Sequence, residues 1–363
     1  TEMRLDYNNV SLCPSTHTIY FLRILLLMGV VLIHCRFTTF VPSENFGAKL
    51  INVVSGDLMS ICVPCFYFLS GLLFFNKIEG NIVPKLRRRV YSLIIPYLVW
   101  NVIGFLLFLV KKMAFAAQFP QYDAAEITFL NFIKGFWSYD LIGVQDTPYP
   151  YDFVLWFVRN LILATLISVP IYKAFGVKKW LLLVLLAVAI KLSAIDKYGI
   201  AMALFYFYAG GVFLHLTKKG DESRALTVKN LSFFVCLCLA IWIPWCCELF
   251  SWLNLPNLWL VFTLIGILGI VGAVELVASC FKIKLQSSNP YLRSLFFVYA
   301  AHGLWATVAN NFVIGLVHPI SSTTYLIAYC LLFLLLWYAN MTAFLLIEKI
   351  SPHCAAVLTG FRA

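Results

Sequence analysis

The sequence predicts an all-α polytopic membrane protein of about ten transmembrane helices. Three observations carry that expectation. The 363 residues are 62% hydrophobic and only 12% charged, with a mean hydropathy of +0.89; a soluble domain carries about 25% charge. Several apolar stretches are long enough to cross a hydrocarbon core of about 30 Å. These stretches are continuous rather than alternating, which excludes a transmembrane barrel. No small-residue cleavage site follows the first of them, so no cleavable signal peptide is expected.

The first span covers about 18–38 and ends in His34-Cys35-Arg36. The second, about 53–75, contains Cys62-Val-Pro64-Cys65. A redox CxxC needs a strand-helix setting, so this run is read as small apolar residues around a kink at Pro64. The third, about 90–111, follows the basic run Lys85-Leu-Arg87-Arg88-Arg89 and contains Pro96-Tyr97. The fourth, about 153–172, carries Trp156-Phe157 and Arg159. The fifth, about 180–196, is short, and Asp196-Lys-Tyr-Gly199 gives a tight turn into the sixth, about 199–216. Four more follow at about 231–250, 257–278, 291–316 and 322–347. With no internal repeat, linker or low-complexity segment, the chain reads as a single transmembrane domain over 1–363. The longest stretch between spans, about 112–152, is rich in aromatic residues. Residues 125–137 can form an interfacial helix there. Its aromatics suit either a headgroup-level belt or a platform for an extracytoplasmic substrate.

Charge sets the expected orientation. With the N-terminus inside, 18 lysines and arginines fall on the inner side and 7 on the outer side. Both termini are therefore expected in the cytoplasm. The same bias accounts for the net charge of +11. No basic soluble domain is present to carry a nucleic-acid partner. The eleven cysteines are odd in number and scattered through apolar runs, so they are not a disulfide framework. No tight His/Cys/carboxylate spacing suggests a metal site.

Two ionisable residues share the first span. Arg23 and His34 are eleven residues apart, about three turns, so they lie on one face with roughly 16 Å between them. Ionisable side chains are expensive inside a bilayer and are functional candidates by default. Histidine is also the commonest general base near neutral pH. The plain alternatives are a snorkelling Arg23 and a His34 bonded to a neighbouring helix.

Other segments give these two residues context. They are Tyr67 with Ser70-Gly71, Arg87 to Arg89 with Pro96-Tyr97, Trp156-Phe157, and Tyr299 with His302. Taken in this order with Arg23 and His34, the set resembles the bacterial membrane-bound acyltransferase-3 family, whose first helix carries an Arg-x10-His signature. The Phe-x-x-Ser-Gly element of that family is matched loosely, with Tyr67 in the Phe position. The resemblance runs from residue 20 to about 305.

The resemblance implies a multi-pass protein of the bacterial cytoplasmic (inner) membrane. It implies an O-acyltransferase that moves an acyl group, typically acetyl, from acyl-CoA to a hydroxyl of a glycan or other acceptor. Acyl-CoA, acetyl-CoA above all, is then a co-substrate, and no metal is required. In this reading His34 is the general base, and His302 is a second acid/base or a donor-channel ligand. Lys85, Arg87, Arg88 and Arg89 suit the donor's phosphates, or serve as topology anchors. Arg23 is assigned to the donor's path because it is too far from His34 to reach the same oxyanion. Trp156 and Arg159 complete the donor-binding set. Arg159 can stack on Trp156 or pair with Asp152 or Asp57. Glu275 needs a partner that the sequence does not reveal. The alternative to the enzyme is a transporter or flippase without covalent chemistry.

Overall fold

The computed structural model describes residues 9–11, 13–36, 45–76, 83–114, 125–144, 148–175, 199–219, 222–223, 225–247, 259–281, 285, 289–317 and 321–361. The fifth expected span, 180–196, lies outside the described residues. Among the described residues, nine helical runs are long and apolar enough to cross a membrane. The protein is an all-α polytopic membrane protein.

Helix α1 (Thr16–Ile33) starts where Ser15 accepts a hydrogen bond from the Thr18 N–H, a side-chain N-cap. The second run begins at residue 46, earlier than expected, and is not one helix. It passes from α2 (Phe46–Ile51) through a π turn (Asn52–Leu58) and a 3-10 turn (Met59–Ile61) into α3 (Cys62–Phe75). Pro64 therefore sits in the first turn of α3, where its missing N–H costs nothing, rather than kinking a continuous helix. The irregular backbone lies just before the proline.

The third run has the same design. Helix α4 (Val83–Arg89) carries the basic run and passes through a second π turn (Val90–Ile94) into α5 (Ile95–Ala114). Helix α6 (Phe129–Gly135), capped by Thr128, falls within the stretch 125–137 expected to be helical and is shorter. A 3-10 turn (Phe153–Leu155) leads into α7 (Trp156–Phe175). Helices α8 (Ile200–Thr217), α9 (Val228–Cys246), α10 (Trp259–Cys280), α11 (Pro290–Val317), α12 (Ser322–Ile350) and α13 (Pro352–Thr359) follow. Gly199, just before α8, has φ +64, and the rest of the expected turn, 196–198, lies outside the described residues.

Three helix pairs dominate the packing: α3 with α8, α9 with α10, and α11 with α12. Helix α8 is the central one, and residues 203–212 are buried throughout. It is apolar all round, as a helix enclosed by others must be. The α3–α8 contact is made by glycines. A Cβ on Gly71 would stand 1.7 Å from the Phe207 carbonyl oxygen, and one on Gly210 would stand 1.9 Å from that of Phe68. Small residues let membrane helices approach this closely.

Long-range contacts sort the chain into two ends. At one end, β1 (Asn9–Ser11) pairs antiparallel with β4 (Ala225–Thr227). A short β2–β3 ladder (Lys218–Lys219 with Glu222–Ser223) lies beside it in sequence. The same end holds His17 bonded to the backbone of Leu285, Arg293 paired with Glu348 at 3.3 Å, and Trp100 donating to the Leu358 carbonyl at 2.9 Å. Glu275 finds its partner here: its carboxylate accepts from the Ser15 N–H at 3.0 Å and from the Ser279 hydroxyl at 3.4 Å. At the opposite end Ser322 donates to Asn45, and Phe132, Phe136, Tyr139 and Tyr151 pack over α5. The segments that charge counting assigns to the inside are thus joined to one another. A cysteine at position 85, in an otherwise cysteine-free protein, is expected to label only from the cytoplasmic face of sealed vesicles. Labelling from outside would invert the orientation.

Candidate functional site

His34 follows the last residue of α1 and caps it, its N–H donating to the Val31 carbonyl at 3.0 Å. Ending the helix here leaves the imidazole beyond the regular turns, and it stays partly exposed. His302 lies in the middle of α11 and is fully buried. The two rings are 5.2 Å apart, centroid to centroid. Gly303, the next residue on α11, faces the turn that precedes α7. A Cβ there would come within 2.6 Å of Val154 and 3.0 Å of Phe153, so α11 closes directly on the turn that precedes α7. The Tyr299 hydroxyl adds a short hydrogen bond to the Val154 carbonyl.

The surroundings of His302 fix its proton. Its Nδ1 is 2.6 Å from the Tyr299 carbonyl oxygen and 3.2 Å from that of Val298. Carbonyls only accept, so Nδ1 carries the hydrogen and Nε2 presents a lone pair. That Nε2 is buried and has no hydrogen-bond partner among the described residues. Leaving such an atom unpaired costs about 1–3 kcal/mol, and a native structure that retains it needs a reason.

A ladder of rings passes through the pair. Tyr149 is 6.5 Å from Phe153, and Phe153 meets His34 edge-on at 5.2 Å. Beyond His302 come Tyr299 at 6.2 Å and Phe157 a further 5.9 Å on. Phe157 then contacts Tyr67 at 4.7 Å and Phe66 at 5.8 Å. Of these, Tyr149 belongs to the aromatic-rich stretch before the fourth span, and Phe153 does not stand out in the sequence. The available signal is the aromatic run Tyr149-Pro-Tyr151-Asp152-Phe153 directly before a span.

The cations fall into two groups. Arg23 is exposed and lies within electrostatic reach of Arg89. Arg89 donates to the Ser70 carbonyl at 3.3 Å, tying the basic run to α3. Arg87 and Arg88 are exposed, and Arg87 lies 6.0 Å from the Tyr91 ring. Lys85 is on the same helix, α4.

Arg159 and Trp156 belong to the opposite end. The expected stacking of Arg159 on Trp156 is replaced by another ring. The guanidinium sits over Trp137, 4.8 Å from its centroid. It donates to the Trp137 carbonyl in a short bond, to the Pro148 carbonyl at 3.4 Å, and through Nε to Asn160 at 3.3 Å. Trp137 and Pro148 thus meet the start of α7 through backbone carbonyls that accept from the buried guanidinium. The fully buried Asp152 carboxylate makes no hydrogen bond to Arg159, so the expected Arg159–Asp152 pair is not formed. The Trp156 indole packs 3.4 Å from the position a Cβ on Gly199 would take. Among the described residues, no cluster of His, Cys, Asp or Glu is arranged to hold a metal.

The site thus offers a proton-accepting imidazole pair toward one end and an arginine group toward the other, joined by an aromatic interior. No curated protein and no solved structure matched the chain. The acyltransferase domain of the acyltransferase-3 family matches residues 17–341, from the start of α1 to within α12. That match includes both imidazoles, all the arginines above and seven complete spans, with most of two more, and the chain belongs to the acyltransferase-3 family.

Proposed function

We propose that this transmembrane acyltransferase moves an acyl group, acetyl in the simplest case, from cytoplasmic acyl-CoA to a hydroxyl of an extracytoplasmic or lipid-linked glycan. The observation that carries the reading is the open Nε2 of His302 beside His34. With the His302 proton held by backbone carbonyls, Nε2 can accept the N–H of a reoriented His34. The other nitrogen of His34 is then unprotonated and serves as the base. It takes the acceptor's hydroxyl proton as the oxygen attacks the thioester carbonyl. The C–O bond forms, the C–S bond breaks, and the CoA sulfur leaves with a proton returned from the imidazole pair. His302 is a positioning residue in this scheme, as the group that orients a base usually is.

The donor's phosphates are polyanionic and suit Arg87, Arg88, Arg89 and Lys85, with Arg23 next along the path. In this reading the donor site faces the cytoplasm and the imidazoles face the acceptor. The test uses purified protein in sealed vesicles with acetyl-CoA and a hydroxyl acceptor. CoA thiol is expected to appear only when acceptor is present. Label that crosses the bilayer with the thioester intact would instead mark a transporter. Replacing Arg87 and Arg88 with Gln is expected to raise KM for acetyl-CoA about 10-fold or more and to change its salt dependence. A single charge-assisted hydrogen bond to a phosphate is worth about 1.5–3 kcal/mol. An unchanged KM would return these residues to a purely topological role.

A further inference from the structure

The acceptor end of the aromatic ladder holds a ring that the chemistry above does not use. Tyr149 is 39% exposed. Its backbone is nevertheless held on both sides. The Tyr139 N–H donates to the Tyr149 carbonyl at 2.8 Å, and Arg159 donates to the carbonyl of the preceding residue, Pro148. Arg159 is only 3% exposed and sits over Trp137, so a buried cation inside the bundle holds Pro148 in place. The result is a large exposed ring on a rigid support, two steps along the ladder from His34. The neighbouring rings of Tyr139 and Tyr151 are buried against α5, and Tyr149 is not.

We infer that Tyr149 is a stacking platform for a pyranose ring of the acceptor, and that it sets specificity by holding one ring hydroxyl over Phe153 toward His34. The axial C–H bonds of a pyranose carry partial positive charge and meet the negative face of an aromatic ring. A hydroxyl at the edge of a stacked sugar projects sideways, toward the next ring of the ladder. A support already fixed in the free protein loses little entropy when the sugar docks, which favours this role over that of a passive belt residue. The inference rests on the reading of the acceptor as a glycan. It adds the residue that recognises the sugar ring.

The experiment measures CoA release from acetyl-CoA with a panel of methyl pyranosides and with glycerol, a hydroxyl acceptor without a ring face. Tyr149→Ala and Tyr149→Leu are expected to raise KM for the pyranosides about 10-fold. In both variants KM for acetyl-CoA and KM for glycerol stay within twofold of wild type. Tyr149→Phe and Tyr149→Trp keep the π face and are expected to retain a near-wild-type pyranoside KM. An unchanged pyranoside KM in the Ala and Leu variants would overturn the platform, as would an equal loss for glycerol. Wild-type protein that acylates glycerol but no pyranoside would overturn the platform alone. Wild-type protein that releases CoA with neither acceptor would defeat the O-acyl transfer reading and the platform with it.

Discussion

His34→Ala is expected to lower kcat about 10²–10⁴-fold while the protein still folds and inserts. Its ring lies just past the last turn of α1 and contributes no backbone hydrogen bond, so removing it leaves the helix intact. The KM for acyl-CoA should change little, because the arginines are at the other end of the bundle from His34. His34→Gln is the sharper variant. An amide keeps a donor and an acceptor but cannot take up a proton at neutral pH. It should be nearly as inactive as the alanine variant. If the Gln variant retained activity within a few-fold of wild type, His34 would only position the substrate, and the base would have to be His302. The companion measurement is His302→Gln, which should cost less than His34→Ala if His302 orients the base rather than acting as it.

The second large effect concerns folding. Gly71→Leu is expected to abolish the stable protein, and Gly71→Ala to lower its melting temperature markedly in detergent. A Cβ at this position meets a backbone carbonyl rather than a flexible side chain, so α3 and α8 must separate. Ordinary overpacking costs about 1–3 kcal/mol, and displacing two backbones exceeds the lower part of that range. Gly315→Ala is the control. It lies on α11 with open space around it, and replacing a helical glycine there should be neutral or mildly stabilising. A Gly71→Ala protein that melts with the wild type would mean that the helices do not meet at this point.

Most of the membrane architecture is legible in the sequence, because long apolar runs have few other uses. The expected spans at 291–316 and 322–347 fall within one to three residues of α11 and α12. The second and third runs are less legible. A π turn adds a residue to a helical turn without changing the apolar pattern, so nothing at 52–58 or 90–94 announces it. At the site, Arg23, His34 and His302 stand out because charge and imidazole are costly in a bilayer. The meeting of His34 with His302 is not legible, since it depends on how α1 packs against α11. Arg159 is legible as a buried cation, but its partners are not. Two of them are backbone carbonyls that solvate the guanidinium, and a carbonyl has no sequence signature.

The bonds that His302 makes to its own helix have a consequence for the path of hydrogen isotopes. The carbonyls of Val298 and Tyr299 do not titrate at any working pH, so the Nδ1 hydrogen has nowhere to go. The buried ring is a compartment with a single door, at Nε2, and that door opens toward His34. The acceptor's hydrogen goes to His34, and His302 meets the reaction only through that one nitrogen, as the acceptor of the His34 N–H. Oxygen, nitrogen and sulfur hydrogens all exchange with water, so the readout is a solvent deuterium isotope effect on kcat rather than a label carried to the departing thiol.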